Sequence, residues 1–215
     1  MTAPKSDAIQ AQTRQQLLEA AGAVFAEVGF RAATVREICL RAGANIAAVN
    51  YHFGDKERLY LEVLRYAQTR ALEKYPADLG LKTGALAEQR LKAFVHSFLL
   101  RLLETGPMAW HGKLIAREMI DPTSALDAVV REKIRPQSEQ LAKIVRALLG
   151  RGVSEGQVRL CCFSIVSQCL FYHHCRPVVA RLFPAQKFSP RDIEKIADHI
   201  TQFSLAALQP HSKKK

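Results

Sequence analysis

The chain of 215 residues contains no apolar run approaching the ~20 residues that a membrane-spanning helix requires. Its first residues are polar, so no secretory leader is expected and the protein is expected in the cytoplasm. It has no nucleophile elbow, no P-loop and no dinucleotide fingerprint, and no residue is nominated as a nucleophile with its base. An enzyme is the rival class, and the sequence gives it no support. There is no Cys-x-x-Cys, no His-Glu-x-x-His and no pair of histidines four apart. The run His173-His174-Cys175, with Cys169 and His111, offers suitable ligand types. Adjacent histidines on a helix diverge by about 100 degrees, however, so both do not face one ion. No metal and no cofactor are expected. The five cysteines are odd in number and several occupy apolar helical positions, which reads as reduced, buried thiols and not a disulfide framework. No proline occurs between Lys5 and Tyr75, and strand alternation and internal repeats are missing throughout. The fold class is all-α.

Positive charge is plentiful. The formal net charge is +11, which suits a polyanion. Residues 1–56 hold six Lys/Arg against five Asp/Glu, so most of the excess lies further on, three of it in Lys213-Lys214-Lys215. Charge alone therefore does not locate a nucleic-acid site.

The segment from Thr34 to Lys56, TVREICLRAGANIAAVNYHFGDK, does. Thr34-Val35-Arg36-Glu37 has the pattern of a capping box, with the threonine oxygen accepting from the Glu37 amide and that carboxylate reaching back. Val35, Ile38 and Cys39 form an inner face, with Arg36 and Arg41 outside. Gly43 ends this helix, and Asn45 can cap the next. In that second helix Ile46, Val49 and Phe53 point inward. Ala47, Ala48, Asn50 and Tyr51 lie nearer the outside. Asp55 can cap a third helix that begins at Lys56. Two short helices joined by a glycine turn make a helix-turn-helix, whose second helix can enter a DNA major groove. Before it, Leu17, Leu18, Ala21, Val24, Phe25 and Val28 give an amphipathic helix that stops at Gly29. After it, Leu59, Tyr60, Val63, Leu64 and Ala67 repeat in the same way.

The run Thr13–Leu64 resembles the N-terminal domain of the TetR/AcrR family of bacterial transcriptional regulators. The likeness is carried by Ala20-Ala21, Phe25, Gly29-Phe30, Thr34, Ile38, Ala42-Gly43, Tyr51-His52-Phe53, Lys56 and Leu59. Cys39 departs from the family's usual alanine, and Ala44-Asn45 from its valine-serine. The first keeps a small buried residue and the second an N-cap. The strings Trp110-His111 to Pro122-Thr123 and Phe171-Tyr172-His173-His174 are similar to one subgroup, the CerR-type regulators. The resemblance implies a DNA-binding domain over residues 10–70 and an effector-binding and dimerisation domain over 71–210.

It also implies roles. Thr34, Tyr51, His52 and Lys56 would meet phosphates, with the amides that open the helix after Asp55. Asn45 belongs to the same surface. Arg36 suits guanine, Ala47 and Ala48 suit thymine methyls, and Asn50 suits adenine. Phe53 and Tyr51 have a packing role as the alternative, and Asn50 a merely solvated one. A helix-turn-helix used only for protein contacts is a further rival, against which the Tyr51-His52 and Lys56 cluster argues.

Beyond residue 70 the sequence reads as further helices. Leu91, Phe94, Val95, Phe98, Leu99, Leu102 and Leu103 form an apolar stripe ended by Gly106-Pro107. A segment from Met108 to Ile120 follows. Asp121-Pro122 reads as a cap and first residue of a helix running to about Leu149 with a kink near Pro136. Ser154-Glu155-Gly156-Gln157 is another capping box. Val158 to Phe171 is apolar nearly all round, and Ser189-Pro190 starts a last helix with Ile193, Ile196, Ala197, Ile200, Ser204 and Leu208 on one face. The resemblance implies a homodimer through these last two long helices. Cys161, Ile165, Val166, Cys169 and Phe171 offer more apolar surface than one partner helix covers, with a large internal core as the alternative. A small-molecule effector is implied as well, with Trp110, His111, Arg117, Glu118, Phe171, Tyr172 and His173 as candidate contacts. Arg117 and Glu118 have a structural ion pair as their alternative reading. The expected function is a ligand-responsive regulator, a repressor released from a pseudo-palindromic DNA operator by a small molecule.

Overall fold

A computed structural model describes residues 5–105 and 109–208. The expected stop at Gly106-Pro107, the start at Met108, the basic tail and the last residues of the 71–210 segment lie outside them. All regular structure among the described residues is helical. The chain divides into two compact units, residues 1–70 with 106–133, and residues 71–105 with 134–215. The segment 106–133 thus groups with the N-terminal helices, where the expected division at residue 70 had put it with the C-terminal ones.

The first unit begins with α1 (Lys5–Ala32), α2 (Val35–Ala42), α3 (Ile46–Phe53) and α4 (Lys56–Lys74). Leu17, Ala21, Val24 and Phe25 of α1 are buried, as are Ile38, Val49, Leu59, Val63 and Leu64 of the next three helices, and α1 packs on α2 and α3. Helix α1 breaks at Gly29, whose φ of 84° is left-handed and open to glycine at little cost. The break turns Phe30 back, so that its ring lies 4.9 Å from Tyr60 and 6.2 Å from Phe25. Val28, expected on the inner face, is exposed. The unit is completed by α6 (Trp110–Ile120) and α7 (Leu126–Val129), with α6 packed on α1.

The Asp121-Pro122 reading is corrected. Asp121 closes α6, its amide donating to the Arg117 carbonyl at 2.8 Å, and no helix starts at Pro122. The buried Glu118 carboxylate takes the Thr123 amide and hydroxyl, which folds the chain into a turn before α7 begins. A π-helical turn, Val130–Ile134, then precedes α8 (Arg135–Leu149). Pro136 lies in the first turn of α8 and supplies no amide to the carbonyl four residues back. The ladder is disrupted there, at the place where a kink was expected.

The second unit is formed by α5 (Ala87–Leu103), α8, α9 (Glu155–His174), α10 (Arg176–Leu182) and α11 (Pro190–Ala207). Leu91, Phe94, Val95, Leu99 and Leu103 of α5 are buried with Leu141, Ile144 and Val145 of α8, Val158, Cys162, Ile165 and Cys169 of α9, and the expected face of α11. Phe98 and Leu102 stay partly exposed at its edge. Both expected N-caps form, Ser154 accepting from the Gln157 amide and Ser189 from the Asp192 amide. The opposite side of α9 is not covered: Leu160, Phe163 and Phe171 are exposed, as is Phe203 of α11.

All five cysteines are free thiols, with Cys39, Cys162 and Cys169 buried and Cys161 and Cys175 half-buried. Burial pushes the Cys169 thiol up to about 12, so it remains protonated and unreactive at neutral pH. Among the described residues no helix is long and apolar enough to cross a membrane, and no cluster of metal-ligating side chains forms.

Candidate DNA-binding surface

Helices α2 and α3 are set by local hydrogen bonds. Thr34 Oγ1 accepts from the Glu37 amide at 3.2 Å, which caps α2. The return half of the capping box is absent among the described bonds. The Glu37 carboxylate turns to Arg41 at 2.9 Å, and Arg41 also reaches Glu27 of α1 at 2.8 Å. Arg41 therefore ties α2 to α1, and its charge is directed at carboxylates.

Gly43 adopts φ 63°, ψ 30°, the left-handed conformation that lets the chain reverse in so few residues. Asn45 Oδ1 then accepts from the Ala47 amide at 3.0 Å and starts α3. At the far end Gly54 closes α3, and Asp55 Oδ1 accepts from the Arg58 amide at 2.7 Å to open α4. Val49 and Phe53 pin α3 from below, and Arg14 lies over the Phe53 ring at 5.3 Å while pairing with Glu62 of α4. Phe53 is thus a packing residue.

What this leaves outside is the candidate surface. Asn45, Ala47, Asn50 and Tyr51 are exposed on α3, Ala48 and His52 are half-buried, and Thr34 and Arg36 are exposed on α2. Tyr51 is 72% exposed, with its ring edge against His52 at 5.0 Å, so the packing alternative for it fails. Thr34 uses its oxygen as an acceptor, which leaves its hydroxyl proton available to a phosphate.

Two positions differ from expectation. Ile46, the first residue of α3, is 48% exposed, whereas Val49 and Phe53 of the same expected face are buried. Lys56 is not simply a surface cation. Its Nζ donates to the Phe30 carbonyl at 3.1 Å and the Ala33 carbonyl at 3.2 Å, and lies 4.6 Å from the Phe30 ring centre. It closes the C-terminal end of α1, where carbonyls lack helical donors. Two of its three donors are committed there. Sequence reasoning also missed Leu40, which is 82% exposed. Its signal was its spacing, four residues after Arg36 and hence on the same outward face.

The candidate effector residues fall in different units. Trp110, His111, Arg117 and Glu118 belong to the first, and Phe171, Tyr172 and His173 to the second. In the first unit each serves the packing of α6. Trp110 lies against Gly22 of α1 so closely that a Cβ at Gly22 would come within 2.2 Å of its ring. His111 is buried, with its ring edge-on to Trp110 at 4.1 Å and to Tyr66 at 6.3 Å. Arg117 is exposed and donates to the Glu27 carbonyl at 3.1 Å.

Glu118 is wholly buried and accepts from the Tyr60 hydroxyl at 2.7 Å, the Thr123 amide at 2.8 Å and the Thr123 hydroxyl at 3.0 Å. Arg117 and Glu118, adjacent on α6, therefore take separate partners and are not an ion pair. In the second unit Phe171 is exposed and Tyr172 packs on the core. His173 is half-buried with Nδ1 sealed from solvent, and burial first, then the neighbouring His174 and Arg176 charges, push its ring below the ordinary histidine value.

Comparison with known proteins bears on this surface directly. A family model described as "Bacterial regulatory proteins, tetR family" matches residues 17–63, which contain α2, α3 and the start of α4. A second, described as the C-terminal domain of the HTH-type transcriptional dual regulator CecR, matches residues 87–208. The dual regulator CecR of Shigella flexneri is 30% identical over 169 residues, 75% of each chain. The repressor NicS of Pseudomonas putida is 28% identical over 207 residues, 92% of each chain. Among solved structures, AibR in complex with isovaleryl coenzyme A and operator DNA has the same fold, with a TM-score of 0.67 at 18% identity, covering 89% of this chain and 97% of that one.

Proposed function

Since this chain belongs to the TetR family of bacterial transcriptional regulators, with a CecR-type C-terminal domain, we propose that it is a homodimeric repressor released from a pseudo-palindromic operator by a small molecule. The subgroup expected as CerR-type carries the name CecR. Regulators of this family bind DNA, respond to ligands and are not enzymes.

The observation that carries the proposal is the outward face of α3. Ala47, Asn50 and Tyr51 stand in solvent on a short helix whose opposite side, Val49 and Phe53, is buried. Small residues beside an amide and a phenol suit close approach to a groove floor, one base-edge contact and one phosphate contact. Thr34, Asn45, His52, the third donor of Lys56 and the opening amides of α4 complete the phosphate-facing set. Arg36, Ala48 and Leu40 add base-facing groups, the leucine suited to a thymine methyl or a sugar.

A second copy of the chain covers Leu160, Phe163 and Phe171 of α9 and Phe203 of α11, exposed side chains too large and too many for a stable solvated face. Two heads so joined read half-sites about one helical turn apart. A DNA partner supports a cytoplasmic location.

Ligand in the C-terminal part favours a head spacing that the operator does not match. A coupling of about 1–3 kcal/mol changes occupancy roughly five- to 150-fold. The experiment is selection of random-sequence duplexes by the purified chain, with sequencing of what is retained. An enriched pseudo-palindrome supports the proposal. A folded dimer that enriches nothing at moderate salt overturns it.

A further inference from the structure

Arg101 of α5 is only 8% exposed. Its Nε donates to the Ser97 carbonyl at 3.3 Å, its Nη1 to Gln137 Oε1 at 2.5 Å, and its guanidinium lies 5.4 Å from the Phe98 ring centre. Its Nη2 is sealed from solvent and, among the described residues, has no hydrogen-bond partner. Among the described residues the partners of this charge are neutral: a carbonyl, an amide and a ring. Glu104, three residues on, is taken by Lys74. Burial alone lowers the guanidinium to about 10, which still leaves it charged at neutral pH. A buried charge without a counter-ion is costly, and the planar fork of arginine matches a carboxylate.

We infer that Arg101 receives a carboxylate on the effector, so that the effector is a small organic acid with an apolar body. This deepens the reading of the chain as a ligand-responsive regulator and rests on it. The free edge of the guanidinium, the second Nη1 proton and the two on Nη2, matches the two oxygens of a carboxylate in the paired geometry typical of arginine. The apolar body is indicated by Phe98, a partly buried ring whose centre lies 5.4 Å from the guanidinium.

Gln137, which already holds one Nη1 proton, lies in the first turn of α8 directly after the π-helical turn Val130–Ile134. Such turns are frequent at functional positions, because the helical ladder is already broken there. The chain passes from the first unit to the second at the end of this turn, between Lys133 and Ile134. The second unit also buries His173 Nδ1 without a partner, but that ring is neutral and calls for no counter-ion.

The test uses the full-length protein, calorimetry and thermal melting, with octanoate, benzoate and phenylacetate against the corresponding amides. We expect at least one acid to bind and raise the melting temperature, with its amide weaker by about tenfold or more. R101M should lose that response and, without ligand, melt no lower than the wild type, because a lone buried charge has been removed. A structural arginine predicts the reverse: R101M melts lower and no acid shifts the wild type. That result overturns the inference, as does binding of the amides equal to that of the acids. Should R101M not fold, R101Q keeps a donor without the charge and reads the same response. None of these measurements involves DNA, so failure of the anion site is distinguishable from failure of operator selection.

Discussion

The Tyr60 hydroxyl donates to Glu118 Oε2 at 2.7 Å, joining α4 to α6 across 58 positions of sequence. Burial first, and then the carboxylate beside it, push the phenol far above its ordinary range, so it is a donor at any working pH. Replacing Tyr60 with Phe leaves a buried carboxylate with one donor fewer, at a cost of about 1.5–3 kcal/mol. Urea unfolding followed by circular dichroism measures it. An unchanged midpoint would mean that Thr123 alone satisfies Glu118.

Lys56 has two duties, and one variant separates them. K56A should lower stability by roughly 1–3 kcal/mol, because the Phe30 and Ala33 carbonyls lose their donor. It should also reduce the slope of log affinity against log salt by about one if the third donor meets a phosphate. Lost stability with an unchanged slope assigns Lys56 to the fold alone.

Gly22 and Trp110 fit each other through the absence of a side chain. G22A drives a methyl into the indole and should destabilise by about 1–3 kcal/mol. Trimming the ring in the same chain, G22A with W110L, should recover part of that loss. Thermal melts of both singles and the double decide it, and strict additivity would refute the contact.

Asn50 and Leu40 face outward on different helices and should read different bases. N50A is expected to relax selection at one operator position, by about 1–3 kcal/mol of discrimination. L40A should reduce preference for thymine at another. Selected duplexes from each variant, compared with wild type, show whether the positions are distinct.

Two histidines make the fold sensitive to mild acid. Burial, the largest cause in each, lowers the His96 and His173 rings; near His96 the Glu194 and Asp198 carboxylates oppose the shift and Lys92 adds to it. In the unfolded chain both bind a proton near pH 6.5, whereas the folded chain resists until a lower pH. The unfolded state therefore holds more protons in that window, and stability falls as pH drops through and below 6.5. Melting temperature should decline between pH 7.5 and 5.5, and H96Q with H173Q should flatten the decline.

The helix-turn-helix was legible because its signals are short-range. Thr34, Gly43, Asn45 and Asp55 act on amides or dihedrals two or three residues away, and the structure keeps all four in those roles. What surrounds the candidate effector residues was not legible. Trp110, Arg117 and Glu118 looked like a ligand cluster because sequence shows polar and aromatic groups on an apolar helix. It does not show that Gly22, the Glu27 carbonyl and Tyr60 already occupy them. Ile46 and Val28 were misplaced for a related reason, since helical periodicity assigns a face but not whether another element reaches that face near the end of a helix.

By itself, then, the sequence determined the all-helical class, the capped helix-turn-helix with its outward Ala47, Asn50 and Tyr51, and the family. Each is written in residue type at helical spacing, within the reach of one or two turns. Only the tertiary structure decided that Lys56 closes α1, that α6 groups with the N-terminal helices, and that Arg101 is buried with no carboxylate against it among the described residues. Those outcomes depend on partners tens of positions away, and on whether solvent reaches a charge once they are packed.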